Sequence, residues 1–217
     1  MQIIIIVVLV LIVLTLIKLR KQKSGNLIEF HSDNSNKVES EKANDSIAYF
    51  LNNKIGYFTQ AKTKENAIFI SESVKKLYYK SMTQKEFVKL ILERIPDYDV
   101  DTLKIESDNF ILMADNYSTW KYIQRNKDIL PFLKYNAITD ETTCTTCKKL
   151  NNIVRSVDDE FWDIYFPPNC PECRCIVQLY DESDIKKPTD LTKKKLIRPM
   201  DCFAINVGKH DLKSLYE

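Results

Sequence analysis

Glycine is nearly missing. Of 217 residues only three, Gly25, Gly56 and Gly208, are glycine. A backbone cradle for phosphate needs glycines close together, so P-loop and dinucleotide-binding fingerprints are excluded. Histidine is scarcer still, with only His31 and His210, which leaves almost no material for catalysis built on His as general base. An excess of one charge sign is also lacking. The 32 basic residues against 30 acidic ones, net +2, give no broad field for gripping nucleic acid. With 44% hydrophobic and 29% charged residues, the composition is globular, neither disordered nor fibrous. The length corresponds to one domain and a half at about 100–200 residues per domain.

What is present begins with a long apolar run. Ile3 to Ile17 reads IIIIVVLVLIVLTLI. Counted from Met1, about 17 residues at about 1.5 Å each reach roughly 26 Å, the low end for spanning a bilayer. A helix buried in a soluble core shows a polar face, and this run shows none. A cleaved signal peptide carries a basic n-region and a small-residue cleavage site; here the basic residues Lys18, Arg20, Lys21 and Lys23 follow the run. The pattern predicts a retained single-pass anchor with its basic flank over residues 1–23. By the positive-inside rule it sits in the bacterial inner membrane, with the N-terminus out and the soluble part in the cytoplasm. That compartment is reducing, so the six cysteines are read as thiols or metal ligands; export after cleavage would reverse this.

Residues 24–44 are polar and read as a linker. From residue 45 to 130 apolar residues recur at helical spacing. Ile47, Phe50, Leu51, Ile55 and Phe58 come first, then Ile68, Ile70, Val74, Leu77 and Tyr78. Thr83 and Glu86 have capping-box spacing, opening a helix that Pro96 closes. A long helix is predicted from about Asp101 to Arg125, with Leu103, Phe110, Met113, Tyr117, Trp120 and Ile123 facing a core. After Pro131 the pattern changes. Phe132 to Ile138 alternates like a strand, Asp158 is placed to cap a short helix holding Phe161, Trp162 and Tyr165, and Pro167 and Pro168 stop it. Ile176 to Leu179 and Phe203 to Val207 read as short strands. The predicted class is α+β: an N-terminal transmembrane helix, a helical segment, then a small cysteine-rich α+β end over residues 131–217.

That end carries Cys144-Thr-Thr-Cys147 and, 22 residues later, Cys170-Pro-Glu-Cys173. A two-residue gap lets one turn aim two thiolates at one ion, and two such turns complete a tetrahedron. The spacing predicts a structural zinc site on Cys144, Cys147, Cys170 and Cys173. Cys175, two residues beyond Cys173, is an alternative fourth ligand, and Cys202 reads as an isolated core thiol. With all ligands from protein, no position is left open for water, so the expected zinc is structural. Unliganded buried thiols and a redox dithiol are the rival readings.

The order of motifs from Thr102 to Tyr180 resembles the phage Mu protein F-like family, whose members are head morphogenesis, or minor head, proteins. The motifs are Trp120 in a helix, Pro131–Tyr135, Asp140–Glu141, Leu150–Asn152, Phe161–Trp162, Pro167–Pro168 and Cys173-Arg-Cys175. FAINVGK, Phe203 to Lys209, resembles the family's ending. The likeness extends over about residues 83–210. Relatives show His in places held here by Cys147 or Cys170, an interchange that suits zinc ligands. The anchor is a departure from the family.

The resemblance implies a non-enzymatic binding or assembly module with a portal or capsid partner and a virion location, here combined with a membrane tether through residues 3–17. The alternatives are a prophage-derived toxin, immunity or defence component at the inner membrane, and an enzyme such as a metal-dependent nuclease or thiol oxidoreductase. For the latter the available groups are Asp158, Asp159, Glu160 and Asp163, which sit where helix-start carboxylates act as caps and dipole partners. Arg174 is read as pairing with an acid before phosphate, and Lys193–Lys195 as a solvated run. Nucleic acid is not indicated, and no small-molecule substrate is expected.

Overall fold

The computed structural model describes residues 34–185 and 187–210. The packing described here belongs to the unit that begins at Glu39. Helix α1 spans Asn34–Asn53, α2 Lys64–Tyr78, α3 Gln84–Arg94 and α4 Val100–Asn126. Then follow β1 Phe132–Asn136, α5 Thr145–Leu150, β2 Val154–Ser156, α6 Phe161–Tyr165 and β3 Ile176–Tyr180, with a 3₁₀ turn at Asp201–Phe203.

Local chemistry sets the helix ends. The Thr63 hydroxyl accepts from the Asn66 N–H and opens α2. Thr83 and Glu86 form the complete capping box of α3, each side chain bonding the other's backbone N–H. Asp99 caps α4 by accepting from Thr102 N–H at 2.8 Å. Helix α3 stops at Arg94 because Pro96 disfavours helical backbone at the residue before it. Helix α1 starts inside the polar stretch read as a linker.

Two apolar cores share one helix. In the helical half, Phe50, Phe58, Ile70, Phe87, Leu103 and Phe110 are buried together, and Phe203 and Val207 return to join them. In the second half, Leu133, Tyr135, Leu150, Trp162 and Phe166 pack with Trp120 and Ile123 from the last turns of α4. The sheet has the order β2-β1-β3, both pairings antiparallel. Alternation along β1 puts Leu133 and Tyr135 on the buried face. The outer edge of β2 is covered at Thr189, which exchanges backbone and hydroxyl bonds with Val154.

Three expectations are corrected. The class is a mixture of helix and strand in which, among the described residues, no helix is long and apolar enough to cross a membrane. Residues 3–17, on which the anchor reading rests, lie outside the described residues. The expected single-pass inner-membrane location thus finds no membrane-spanning helix among the described residues. Phe203 to Val207 is not a strand: Asn206 is fully buried, its N–H donates to the Asp163 carbonyl, and its Oδ1 accepts from Gly208 N–H, bending the chain into a turn. Finally, Asp159 rather than Asp158 bonds the start of α6, accepting from Phe161 N–H at 2.8 Å.

That last turn seats on Trp120. A Cβ on Gly208 would lie 2.3 Å from Trp120 Cδ1, closer than atoms approach. Gly208→Ala is expected to destabilise the chain by about 1–3 kcal/mol through overpacking, and Thr83→Ala by about 1 kcal/mol through loss of the cap. Urea denaturation checks both; an unmoved midpoint for Gly208→Ala would mean the turn does not sit on the indole.

Candidate metal centre

Five of the six cysteines meet in space. Cys144 precedes α5 in extended backbone, and its sulfur accepts from Cys147 N–H at 3.3 Å, which folds the first pair into one turn. The second pair closes through Glu172, which takes left-handed backbone with φ 51°. That conformation is costly for a residue with a Cβ. It is held from α4, where buried Asn109 Oδ1 accepts from Glu172 N–H at 2.9 Å. Cys175 stands directly before β3.

The sulfurs form two triads with a common corner: Cys144, Cys147 and Cys170, then Cys147, Cys173 and Cys175, each with its sulfurs within 4.8 Å of one another. Cys147 Sγ lies 3.8 Å from Cys170 Sγ and 3.8 Å from Cys173 Sγ. A tetrahedron of sulfurs about 2.3 Å from zinc has edges of about 3.8 Å, so these two distances fit a shared ion. Cys147, Cys173 and Cys175 are buried, while Cys144 and Cys170 are half-buried. All four residues expected from spacing are thus in the cluster, and so is the alternative ligand Cys175. Cys202 stands outside it.

Burial and crowding set the thiols against one another. Hydrogen bonds from Cys147, then Cys170 and Cys175, hold the Cys173 thiol below its ordinary range. The contacts with Cys170 and Cys173 push Cys147 up, and those with Cys147 and Cys173 push Cys175 up. Such a nest sets the thiols' proton affinities apart from one another. A divalent cation held there would supply what the thiols need to ionise together.

Two partners that spacing does not reveal complete the centre. Tyr135, fully buried on β1, donates its hydroxyl to Cys147 Sγ at 3.4 Å. Burial, then the neighbouring Cys173, Cys175 and Cys147, push its phenol far up, so the proton stays on. Asn169 Nδ2 donates to Tyr135 Oη at 3.1 Å and to the Tyr165 carbonyl at 3.0 Å. Outside, Arg174 grips Asp140 with contacts of 2.8 and 2.7 Å and also reaches Thr142. Asp140 in turn accepts from Thr142 and Thr143, which ties the first cysteine loop to the Cys173–Cys175 segment. Arg174 therefore pairs with an acid, as expected, rather than standing free for phosphate.

The cleft at the thiols holds only about 30 Å³, far below the roughly 300–1,000 Å³ of small-molecule sites. The carboxylates weighed for catalysis are dispersed into ion pairs. Asp158 meets Lys127 at 2.8 Å, Asp159 pairs with Arg155, and Asp163 with Lys209. Glu160 makes no capping bond, and Lys193–Lys195 are exposed. A larger cavity of about 280 Å³ lies against α4 between Tyr57, Phe110, Met113, Met200 and Cys202. Its carboxylate, Glu106, is engaged by Thr59 and Tyr98.

The Arg174, Thr143 and Thr142 contacts hold the Asp140 carboxyl well below the usual carboxylate range. A depressed folded-state pKa means the contribution is fully present above the ordinary carboxylate pKa, about 3.9, and is lost as pH falls through the lowered value. The clamp on the first cysteine loop should therefore persist through mildly acid pH. Asp140→Asn should speed amide exchange over residues 140–144 already at pH 7; unchanged protection there would show that the clamp does not order the loop.

Against known proteins, the family model for phage Mu protein F-like proteins matches residues 83–178, a span that contains all five clustered cysteines. The resemblance in the motif order is thus borne out over that span. Protein F of Escherichia phage Mu, named provisionally as a capsid assembly protein, is 25% identical over 153 residues, covering 60% of this chain and 35% of that protein. The match spans about a third of that relative's length. No solved structure matches.

Proposed function

We propose that the chain is a non-enzymatic assembly module of the head-morphogenesis type, which contacts a portal or capsid protein through a rigid C-terminal half. The observation that carries this reading is the match of residues 83–178 to the Mu F-like family. The relative named for capsid assembly lends it direction. The ion-paired carboxylates and the narrow cleft at the thiols favour a binding role over an enzymatic one.

The rigidity comes from a structural zinc held by the cysteine cluster. Cys147, the corner common to both triads, is a ligand in either arrangement. Cys144, Cys170 and Cys173 complete the set, with Cys175 as the alternative to Cys173. When bound, zinc supplies cross-linking charge that lets the buried thiols ionise together. The sheet is short and its strands are joined through the cysteine turns, so fixing those turns fixes the domain's outer surface.

Two measurements test the two parts. The purified full chain should contain about one zinc, and Cys147→Ser should lose it together with much of the fold's resistance to protease. A folded chain free of metal after purification without chelators sinks the zinc. For assembly, the chain should be found in heads purified from the phage or prophage that encodes it, and should bind that phage's portal or capsid protein. Absence from heads together with no binding to either protein sinks the assembly role.

A further inference from the structure

The cysteine cluster is lined on its inner side by a polar relay whose direction can be assigned. The Tyr165 carbonyl can only accept, so the Asn169 atom 3.0 Å from it is the amide nitrogen. That nitrogen's second hydrogen points to Tyr135 Oη at 3.1 Å. The phenol oxygen is thereby occupied as an acceptor, and its own proton is left for Cys147 Sγ at 3.4 Å. Tyr135 is fully buried and Asn169 is 2% exposed, so water does not compete for either. Asn169 Oδ1 is buried without a hydrogen-bond partner among the described residues. The amide thus forgoes a bond on its acceptor side while both its donor hydrogens are used. Buried polar groups are ordinarily satisfied, and an exception points to a constraint elsewhere.

We propose that Tyr135 is the positioning residue of the metal centre: its hydroxyl, oriented by Asn169, donates to Cys147 Sγ and fixes the charge and direction of the one sulfur common to both triads. This rests on the reading of the cluster as a structural metal site. The corner shared by both triads needs such control most. A thiolate that meets neighbours on both sides has several directions in which to place its electron pairs, and a donated proton on its inner side removes one of them. Hydrogen bonds to metal ligands from this outer layer commonly contribute 10–100-fold in metal affinity. Tyr135 is held on β1, the central strand between β2 and β3, and its side chain is fully buried.

The full chain loaded with cobalt(II) provides the test, because its thiolate-to-metal charge-transfer band reports electron density on the ligand sulfurs. Tyr135→Phe keeps the ring and removes the donor. It should bind cobalt about 10–100-fold more weakly in chelator competition, and its band should move to lower energy, since Cys147 becomes more electron-rich. A purely structural loss would lower the melting temperature and leave the band in place. Should Tyr135→Phe fail to fold, 3,5-difluorotyrosine placed at position 135 keeps the hydroxyl and makes it a stronger donor; the band should then move to higher energy. Unmoved band and affinity in the folded variant overturn the proposal. Failure of the underlying metal reading looks different, because the unaltered chain then takes up no cobalt at all.

Discussion

The second half of this chain depends on the last turns of α4. A three-stranded sheet with strands of five, three and five residues has too little surface to bury a core by itself. Trp120 and Ile123 supply the missing wall. The indole meets Phe166 edge-on at 5.0 Å between ring centroids, Gly208 closes against its Cβ–Cγ–Cδ1 edge, and the Lys209 ammonium lies 5.2 Å from its ring centroid. Phe166 lies next to Pro167 and Pro168, which lead through Asn169 to the second cysteine pair. The helix therefore sets where that pair stands relative to β1.

From this scaffold the thiols inherit their arrangement. One cysteine turn is fixed by its own N–H···S bond. The other is fixed from α4 through Asn109. The Arg174–Asp140 clamp then closes the two loops against each other on the solvent side. The cluster is thus built from three directions by protein contacts, an arrangement that would suit the proposed structural metal.

Much of this was legible in the sequence wherever the signal is local. The capping box at Thr83, the stop before Pro96, the long helix and the paired cysteine turns each depend on residues a few positions apart, and each is found where local chemistry places it. The contacts that shape the centre are not local. Tyr135 reads as one more apolar strand residue, Asn169 as a loop residue after prolines, and Asn109 as a polar residue on a helix. Their roles exist only once β1, the Pro–Pro turn and α4 are brought together. Phe203 to Val207 misleads for a related reason: its alternation is that of a strand, but the fully buried Asn206 bonds across to α6, and that long-range bond overrides propensity. The apolar run at residues 3–17 lies outside the described residues, among which no helix is long and apolar enough to cross a membrane.

Phe203 and Val207 belong to the helical core, although some seventy residues of the cysteine-rich half separate them from α4. In chain order the second half is therefore an insertion between two contributions to the first. On the ribosome this has a consequence. A nascent chain that has emerged only as far as the second cysteine pair can assemble its helices, but their core still lacks two of its apolar members, and Trp120 still lacks the turn that covers it. Neither half can finish its core until residues 203–208 have left the exit tunnel, so the whole fold waits on one late turn.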